Sequence, residues 1–210
     1  MKKVYAIVSH PDDESFGCGA TIAKHIAHGD DVHCLVMTNN YRSSCIYQHL
    51  DKAMTILGVE KYKLFDLPDH QLEKYTRMEL TQILEEYVKT NGVPDIVYTH
   101  NLNDLNQDHQ ITCLTVSTVF RPVWDKKVSI YWFDTPSSTE WALKPFAPNV
   151  FVDIEGYLEK KIEACKCYET EFRQLPHPRS AESLESRARY WGMCCGLKYA
   201  EAFELMREVR

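Results

Sequence analysis

The stretch KVYAIVSHPDDESFGCGATIAKHIAHG, residues 3–29, decides the fold. Residues 3–9 form a short, continuous apolar run of the kind found in buried strands, and residues 14–28 carry apolar side chains at helical spacing. Gly29 falls where that helix should stop, because glycine readily adopts the left-handed backbone that ends helices. The stretch therefore predicts a strand, a turn and a helix, which together open an α/β unit.

The same alternation continues through the first two-thirds of the chain. We predict further strands over residues 31–38, 62–67, 95–100 and 128–135, and helices ending at Leu57 and spanning 72–90 and 108–119. Strands that alternate with helices at this spacing are joined by right-handed crossovers and lie parallel to one another. The predicted fold is a doubly wound, mostly parallel α/β sheet with helices on both faces.

The last third has a different character. Residues 136–149 are rich in proline and polar residues and are expected to form an ordered loop, which is a candidate lid. A short strand is predicted over 151–154, and helical spacing then dominates 155–210, interrupted by LPHPRS at 175–180. We find no internal repeat, so residues 1–210 are expected to form a single domain.

Composition excludes several classes of partner. The 210 residues are 44% hydrophobic and carry a formal net charge of −6, without the basic footprint of a nucleic-acid-binding protein. No apolar stretch approaches the roughly 20 residues of a membrane span, and no signal peptide is recognisable, so a cytoplasmic location is expected. The eight cysteines form no regular disulfide framework, and we interpret them as buried, reduced thiols.

Metal-type ligands follow two of the predicted strands. SHPDDE, residues 9–14, comes directly after the first strand, and NQDH, residues 106–109, follows the strand that ends at His100. Ligands gather beyond the carboxyl ends of strands in open α/β sheets, and the first and fourth strands are commonly neighbours. The two segments are therefore expected to meet at one edge of the sheet.

Helix capping explains only part of these segments. Carboxylates at a helix start satisfy free N–H groups and suit the helix dipole, and Asp108 is open to the same interpretation. Capping does not account for His10, whereas a metal ion explains the histidine and the acids together. Two histidines and a carboxylate with open positions are typical of catalytic metal sites. A non-haem iron oxygenase uses the same ligand types, but its usual β-sandwich host disagrees with the predicted alternation.

The chain resembles the PIG-L/LmbE-like family of N-deacetylases. The resemblance lies in HPDDE (10–14), Gly17-Cys18-Gly19 and Asn106-x-Asp108-His109, and it continues in FAPNVFVDI, EKKIEA, PHPRS and AEAFEL. It implies a Rossmann-like fold and an enzyme that removes the acyl group from an N-acylated amino sugar. It also implies a divalent metal, usually zinc, although iron(II) or another divalent ion suits the same ligands.

The resemblance also implies roles for individual residues. His10, Asp13 and His109 match the metal ligands of the family, and Asp12 matches its general base. Asp108 is expected to orient a neighbouring group, as residues around metal ligands often do.

One position departs from the family pattern. Many members carry a histidine three positions before the last ligand, where it donates to the oxyanion, and this chain has Asn106 there. An asparagine amide still donates a hydrogen bond. His177 in PHPRS is the other candidate donor, and a surface turn is its plainer explanation. Because a charge-assisted donor is the stronger one, we predict that His177 stabilises the oxyanion more than Asn106 does.

The substrate is less well determined by the sequence. Arg42 is a candidate sugar-binding residue, and a solvated surface charge is its plainer explanation. Aromatic residues around the late loop are candidates for stacking on a sugar ring, namely Trp132, Phe133, Trp141 and Phe146. Nucleotide-linked N-acetylhexosamines, glycan or antibiotic intermediates and thiol-conjugated glucosamines all remain open, as does a homo-oligomer. A catalytically silent sugar-binding or partner protein on the same fold is the alternative from a different class.

Overall fold

The computed structural model describes residues 1–39 and 45–208. The strands in these ranges are β1 (Lys3–Val8), β2 (Asp31–Asn39), β3 (Lys61–Pro68), β4 (Ile96–His100), β5 (Ser129–Phe133), β6 (Val150–Asp153) and β7 (Ala200–Arg207). The helices are α1 (Asp13–Ala27), α2 (Ile46–Leu57), α3 (Arg77–Asn91), α4 (Gln107–Val119), α5 (Leu158–Lys166) and α6 (Ala181–Cys195). Short 3₁₀ turns lie at Leu72–Lys74 and Thr139–Trp141.

All seven strands belong to one sheet in the order β3-β2-β1-β4-β5-β7-β6. Strands β1 to β5 are parallel to one another, and β1 lies between β2 and β4, so that Ala6 is paired with Cys34 on one side and Tyr98 on the other. The predicted mostly parallel α/β sheet is confirmed. The expected proximity of the first and fourth strands is confirmed as well, and it brings the two ligand-bearing segments to one edge.

Apolar side chains alternate between the two faces of the sheet. Val4, Ala6 and Val8 of β1 lie in a core with α1, α2 and α5, whereas Tyr5 and Ile7 lie in a second core with α3 and α4. This two-residue period is the expected consequence of strand geometry. A third cluster joins α6 to α1 and α5. The sheet is therefore covered by helices on both faces.

The prediction of a helical end was wrong. Residues 200–207 form β7, which is antiparallel to both β5 and β6 and lies between them. The helical spacing of AEAFEL is overridden by tertiary pairing, because residues 200–203 are all buried inside the sheet. Two predicted helices are also shorter than expected. α5 ends at Lys166, and α3 begins at Arg77 behind a capping box formed by Thr76 and Glu79.

Helix α1 contains a break that the last strand satisfies. Cys18 has the non-helical angles φ −135° and ψ 24°. The Glu201 carboxylate of β7 accepts hydrogen bonds from the backbone N–H groups of Ala20 at 3.1 Å and Thr21 at 2.7 Å. Lys161 Nζ lies 2.5 Å from Glu201 Oε1, and both side chains are buried. Glu201 thus caps the second half of α1, and Lys161 balances its charge.

The cysteines agree only in part with the prediction. No disulfide joins cysteines within the described ranges. Four of the side chains are buried as expected, those of Cys18, Cys34, Cys113 and Cys165. Cys45, the N-cap residue of α2, is exposed, and so are Cys194 and Cys195 at the end of α6. Among residues 1–39 and 45–208, no helix has the length and apolarity that crossing a membrane requires.

Candidate active site

The carboxyl edge of the parallel strands borders a cavity of about 230 Å³. Its walls come from the turn after β1, the segment after β3, the start of α4, the loop after β5 and the segment before α6. His10, Asp12, Asn106 and His109 line it, so the two segments singled out in the sequence meet here. The cavity lies where ligands bind in open α/β sheets.

His10, Asp13 and His109 present their donor atoms to one another. His10 Nδ1 lies 3.2 Å from Asp13 Oδ2 and 3.1 Å from His109 Nε2, and His109 Nε2 lies 3.4 Å from Asp13 Oδ2. The other carboxylate oxygen, Asp13 Oδ1, is buried and has no hydrogen-bond partner. Two imidazoles and a buried carboxylate with an unsatisfied oxygen are a donor set that fits a divalent cation such as zinc.

The turn after β1 places these residues through an unusual backbone. Asp12 has φ 135°, a region that residues other than glycine rarely adopt, and such strain concentrates at functional sites. The backbone N–H of Asp12 donates to Glu14 Oε2 at 3.1 Å, and Glu14 Oε1 accepts from Ser15 Oγ and Tyr168 Oη at 2.7 Å each. Glu14 therefore stabilises the turn through a hydrogen bond to its backbone. Burial raises the pKa of the Glu14 carboxyl.

Asp12 is held by an arginine that the sequence did not single out. Arg179 Nη1 donates to Asp12 Oδ2 and to Glu171 Oε2, both at 2.9 Å, and Arg179 Nε donates to the carbonyl oxygen of Pro136 at 3.1 Å. The guanidinium carbon lies 4.8 Å from the centre of the Phe16 ring. Burial raises the pKa of Asp12 to about 8, although the Arg179 charge opposes this increase.

Asp104 fixes the second nitrogen of His109. Asp104 Oδ1 lies 3.1 Å from His109 Nδ1, which leaves His109 Nε2 directed towards His10 and Asp13. Asp104 also accepts hydrogen bonds from the hydroxyls of Ser138 and Thr139. Although burial acts in the opposite direction, these contacts lower the pKa of Asp104 to about 2. Carboxylate–imidazole pairs of this kind orient metal-ligating histidines.

His100, at the end of β4, is a packing partner of the site. Its ring stacks on that of His109 with centroids 3.8 Å apart and planes 13° apart. The backbone N–H of Ser9 donates to His100 Nε2 at 2.9 Å, and Thr135 Oγ1 lies 3.2 Å from His100 Nδ1. Burial lowers the pKa of His100 to about 4. A neutral ring with both nitrogens engaged is suited to positioning His109 and not to binding a metal.

At the start of α4, Asn106 caps the helix and Asp108 contacts His10. Asn106 is the N-cap, and its Oδ1 accepts the backbone N–H of Asp108 at 2.9 Å, so its amide nitrogen is the end left for other contacts. Asp108 Oδ2 lies 3.2 Å from His10 Nε2, and Asp108 Oδ1 accepts the backbone N–H of Leu72 at 3.2 Å. Asp108 contacts the histidine ring from the side opposite Asp13.

Several expected substrate contacts are not at the cavity. His177 is not among its lining residues, and His177 Nδ1 accepts the backbone N–H of Arg179 at 3.1 Å. The side chain of this segment that lines the cavity is Arg179. Arg42 lies outside the described residues. The four aromatic candidates for sugar stacking do not line the cavity either: Phe133 is buried in the core, and Phe146 packs against Trp191.

Sequence reasoning missed several residues that surround the predicted ligands, among them His100, Asp104, Glu171 and Arg179. The first two carried a usable signal, because both lie between a predicted strand end and the metal-type segment 106–109. Arg179 lies in PHPRS, which was already of interest for its histidine. Glu171 carried no signal, since an acid in a polar stretch is usually a solvated side chain.

The chain is similar in sequence to a family of de-N-acetylases and in fold to several solved structures. A profile of the family described as PIG-L, GlcNAc-PI de-N-acetylase, matches residues 5–120. The chain is 27% identical to the diacetylchitobiose deacetylase of Thermococcus kodakarensis over 98% of its own length and 84% of that protein. Its fold is similar to that of a conserved protein of Thermus thermophilus, with a TM-score of 0.81 and 23% identity over 100% and 97% of the two chains. The N,N'-diacetylchitobiose deacetylase of Pyrococcus horikoshii gives a TM-score of 0.79 and 22% identity over 98% and 84%.

Proposed function

This chain belongs to the PIG-L family of de-N-acetylases, and on that premise we propose that it is a metal-dependent amidohydrolase acting on an N-acylated amino sugar. The observation that carries the proposal is the convergence of His10, Asp13 and His109 beside Asp12 at one cavity. The match over residues 5–120 includes all four residues. The similarity to a diacetylchitobiose deacetylase supports an N-acetylated sugar as the substrate class.

His10 Nδ1, a carboxylate oxygen of Asp13 and His109 Nε2 are the proposed ligands of a divalent ion, for which zinc is our first choice. When bound, such an ion lowers the pKa of water from about 15.7 towards about 7 and polarises a carbonyl oxygen. Asp104 and Asp108 hold the outer nitrogens of the two histidines, so each ring keeps its other nitrogen for the ion. Iron(II) suits the same ligand set.

Asp12 is the proposed general base. Its carboxylate lines the cavity beside the proposed ligands but is not needed as one of them, because Asp13 already supplies a carboxylate. Burial raises the pKa of Asp12 from its ordinary value towards neutral pH, where a group can both accept and return a proton. Asp12 takes the proton of the attacking water and delivers it to the leaving amine. Arg179 holds one carboxylate oxygen and thereby fixes its direction.

Asn106 is the proposed donor to the developing oxyanion. It lines the cavity, and its amide oxygen is occupied by helix capping, which leaves the amide nitrogen as the donor. The prediction that His177 is the stronger oxyanion donor rests on charge alone, whereas of the two residues only Asn106 lines the cavity. A cytoplasmic location, a homo-oligomeric state, a single domain and a lid over residues 136–149 stay predictions.

The test separates the base from the metal site. Asp12→Asn should retain the fold and one tightly bound zinc but lose about 10²–10⁴-fold in turnover, the usual contribution of general-base catalysis. Acetate release from free and nucleotide-linked N-acetylated sugars measures turnover, and elemental analysis of the purified protein measures zinc. Glu171→Gln is the matched control, because it removes a cavity-lining carboxylate that also contacts Arg179 but is not one of the proposed ligands.

Two results would contradict the proposal. Full activity of Asp12→Asn on the substrate would show that Asp12 is not the general base. Absence of stoichiometric metal, together with binding of sugars without turnover, would favour the silent sugar-binding alternative. The oxygenase alternative has lost its support, since a parallel α/β sheet is not the β-sandwich host that it requires.

A further inference from the structure

A second group of metal-type side chains lies beside the proposed catalytic site. Asp69 and His70 follow β3, Asp108 lies in the first turn of α4, and together with His10 they bring four donor atoms within 4.8 Å of one another. His70 is exposed at the cavity wall, whereas Asp69 and Asp108 are buried. The group shares only His10 with the ligands proposed above.

The His10 ring faces the two groups with different nitrogens. Its Nδ1 points at Asp13 and His109, whereas its Nε2 lies 3.3 Å from Asp69 Oδ1 and 3.2 Å from Asp108 Oδ2. One ring nitrogen can donate one proton at most, so it cannot satisfy both carboxylates. Two adjacent buried carboxylates with one shared donor repel each other, and a cation between them relieves that repulsion.

The neighbouring contacts leave the required oxygens available. Asp108 Oδ1 is held by the backbone N–H of Leu72, which leaves Asp108 Oδ2 directed at His10. The second oxygen of Asp69, Oδ2, lies 3.7 Å from His70 Nε2. We propose that Asp69, His70 and Asp108 form a second divalent-cation site that shares His10 with the catalytic metal. The catalytic role of His10 is part of the proposed function, on which this inference rests.

Sharing one imidazole makes the two sites antagonistic. A neutral imidazole has one lone pair for a metal, so His10 serves one ion at a time. A cation held by Asp69, His70 and Asp108 that also binds His10 Nε2 would leave the ring proton on Nδ1, so the catalytic ion would keep only Asp13 and His109 as ligands. Carboxylate and imidazole donors suit zinc and other first-row divalent ions. Excess zinc should therefore bind a second time, more weakly, and inhibit the enzyme.

The experiment titrates zinc into the metal-stripped full-length protein, with calorimetry and elemental analysis as readouts besides turnover. The wild type should bind one tight equivalent and one weaker equivalent, with inhibition following the second. His70→Gly tolerates the φ of 53° at this position and should weaken the second equivalent by about tenfold or more, the loss that even outer-shell changes cause. Asp69→Asn should do the same. His49→Ala, which removes another cavity-lining histidine, should keep both equivalents.

The outcomes distinguish this inference from the proposed function. A wild type that binds a single zinc at millimolar concentration overturns the second site and leaves the catalytic one standing. A second equivalent that survives in both His70→Gly and Asp69→Asn places that ion elsewhere and also overturns it. If both variants weaken only the first equivalent, the group merely orients His10. Absence of the tight first equivalent contradicts the proposed function itself.

Discussion

Removing the Arg179 guanidinium should move the acid limb of the pH–rate profile to higher pH. Arg179 is the cation in contact with Asp12, at 2.9 Å, and the pair is nearly buried. An opposite charge at this range lowers a carboxyl pKa by about 1–3 units. Because the proposed base works only when ionised, Arg179→Met should shift the acid limb upward by about 1–3 pH units. On that limb the rate at fixed pH should fall by about 10- to 1,000-fold.

The assay is kcat/KM against pH, measured at equal zinc occupancy on an N-acetylated sugar that the wild type turns over. Arg179→Lys should give a smaller shift, since lysine keeps the charge but cannot reach Asp12, Glu171 and the Pro136 carbonyl at once. Arg173→Met is the matched control, because Arg173 is an exposed arginine of the same segment.

An unchanged acid limb in Arg179→Met, combined with a lower plateau, would refute the reasoning. Arg179 would then act on the geometry of the site and not on the protonation of Asp12. An equal shift in Arg173→Met would point instead to a general effect of net charge.

Three further predictions concern Glu201, Asp104 and Asn106. Glu201→Gln leaves Lys161 buried without its partner and should lower the free energy of unfolding, measured by denaturant titration, by about 3–5 kcal/mol. The Glu201→Gln, Lys161→Met double variant should recover most of this loss. No recovery would contradict the pairing of the two side chains. Asp104 has a lowered pKa of about 2, so its contribution to folding stability is present above pH 4 and is lost as the pH falls towards 2. Over that interval the free energy of unfolding of the metal-free wild type should fall by about 2 kcal/mol more than that of Asp104→Asn. Equal decreases in the two proteins would contradict this role of Asp104. Asn106→Ser keeps the helix cap but lacks the amide donor and should lower turnover by about 10²–10³-fold. His177→Ala should lower turnover by a smaller factor. A larger loss of turnover in His177→Ala would identify the histidine as the oxyanion donor.

The sheet could be predicted because its strands carry clear local sequence patterns. The meeting of the two ligand segments could be predicted because it follows from the parallel topology of those strands. Residues 3–9 and 95–100 carry the pattern of buried strands, and adjacent parallel strands bring their carboxyl ends to one edge. Strand β7 was not predictable in this way. AEAFEL carries helical spacing, and only its antiparallel pairing with distant β5 and β6 makes it a strand.

The residues around the ligands escaped prediction for a related reason. Arg179 is 167 positions from Asp12, and no local pattern relates an arginine beside a proline to a carboxylate at the first strand. Asp69 and His70 follow β3, which β2 separates from β1 in the sheet, so their contact with His10 is not one that adjacent strands predict. Sequence patterns identify which residue types bear chemistry, whereas the contacts that tune them come from tertiary structure.

Because of the break in α1, formation of the proposed metal site depends on a residue that is synthesised late. The proposed ligands and base all lie within the first 109 residues, yet the helix that begins at Asp13 receives its internal cap from Glu201. During synthesis, the ribosome has produced every ligand long before it produces the residue that completes their scaffold. A nascent chain arrested before β7 would hold these side chains on a helix with two unsatisfied N–H groups and an uncompensated Lys161. Competence to bind metal should therefore arise late, in the same step that closes the sheet.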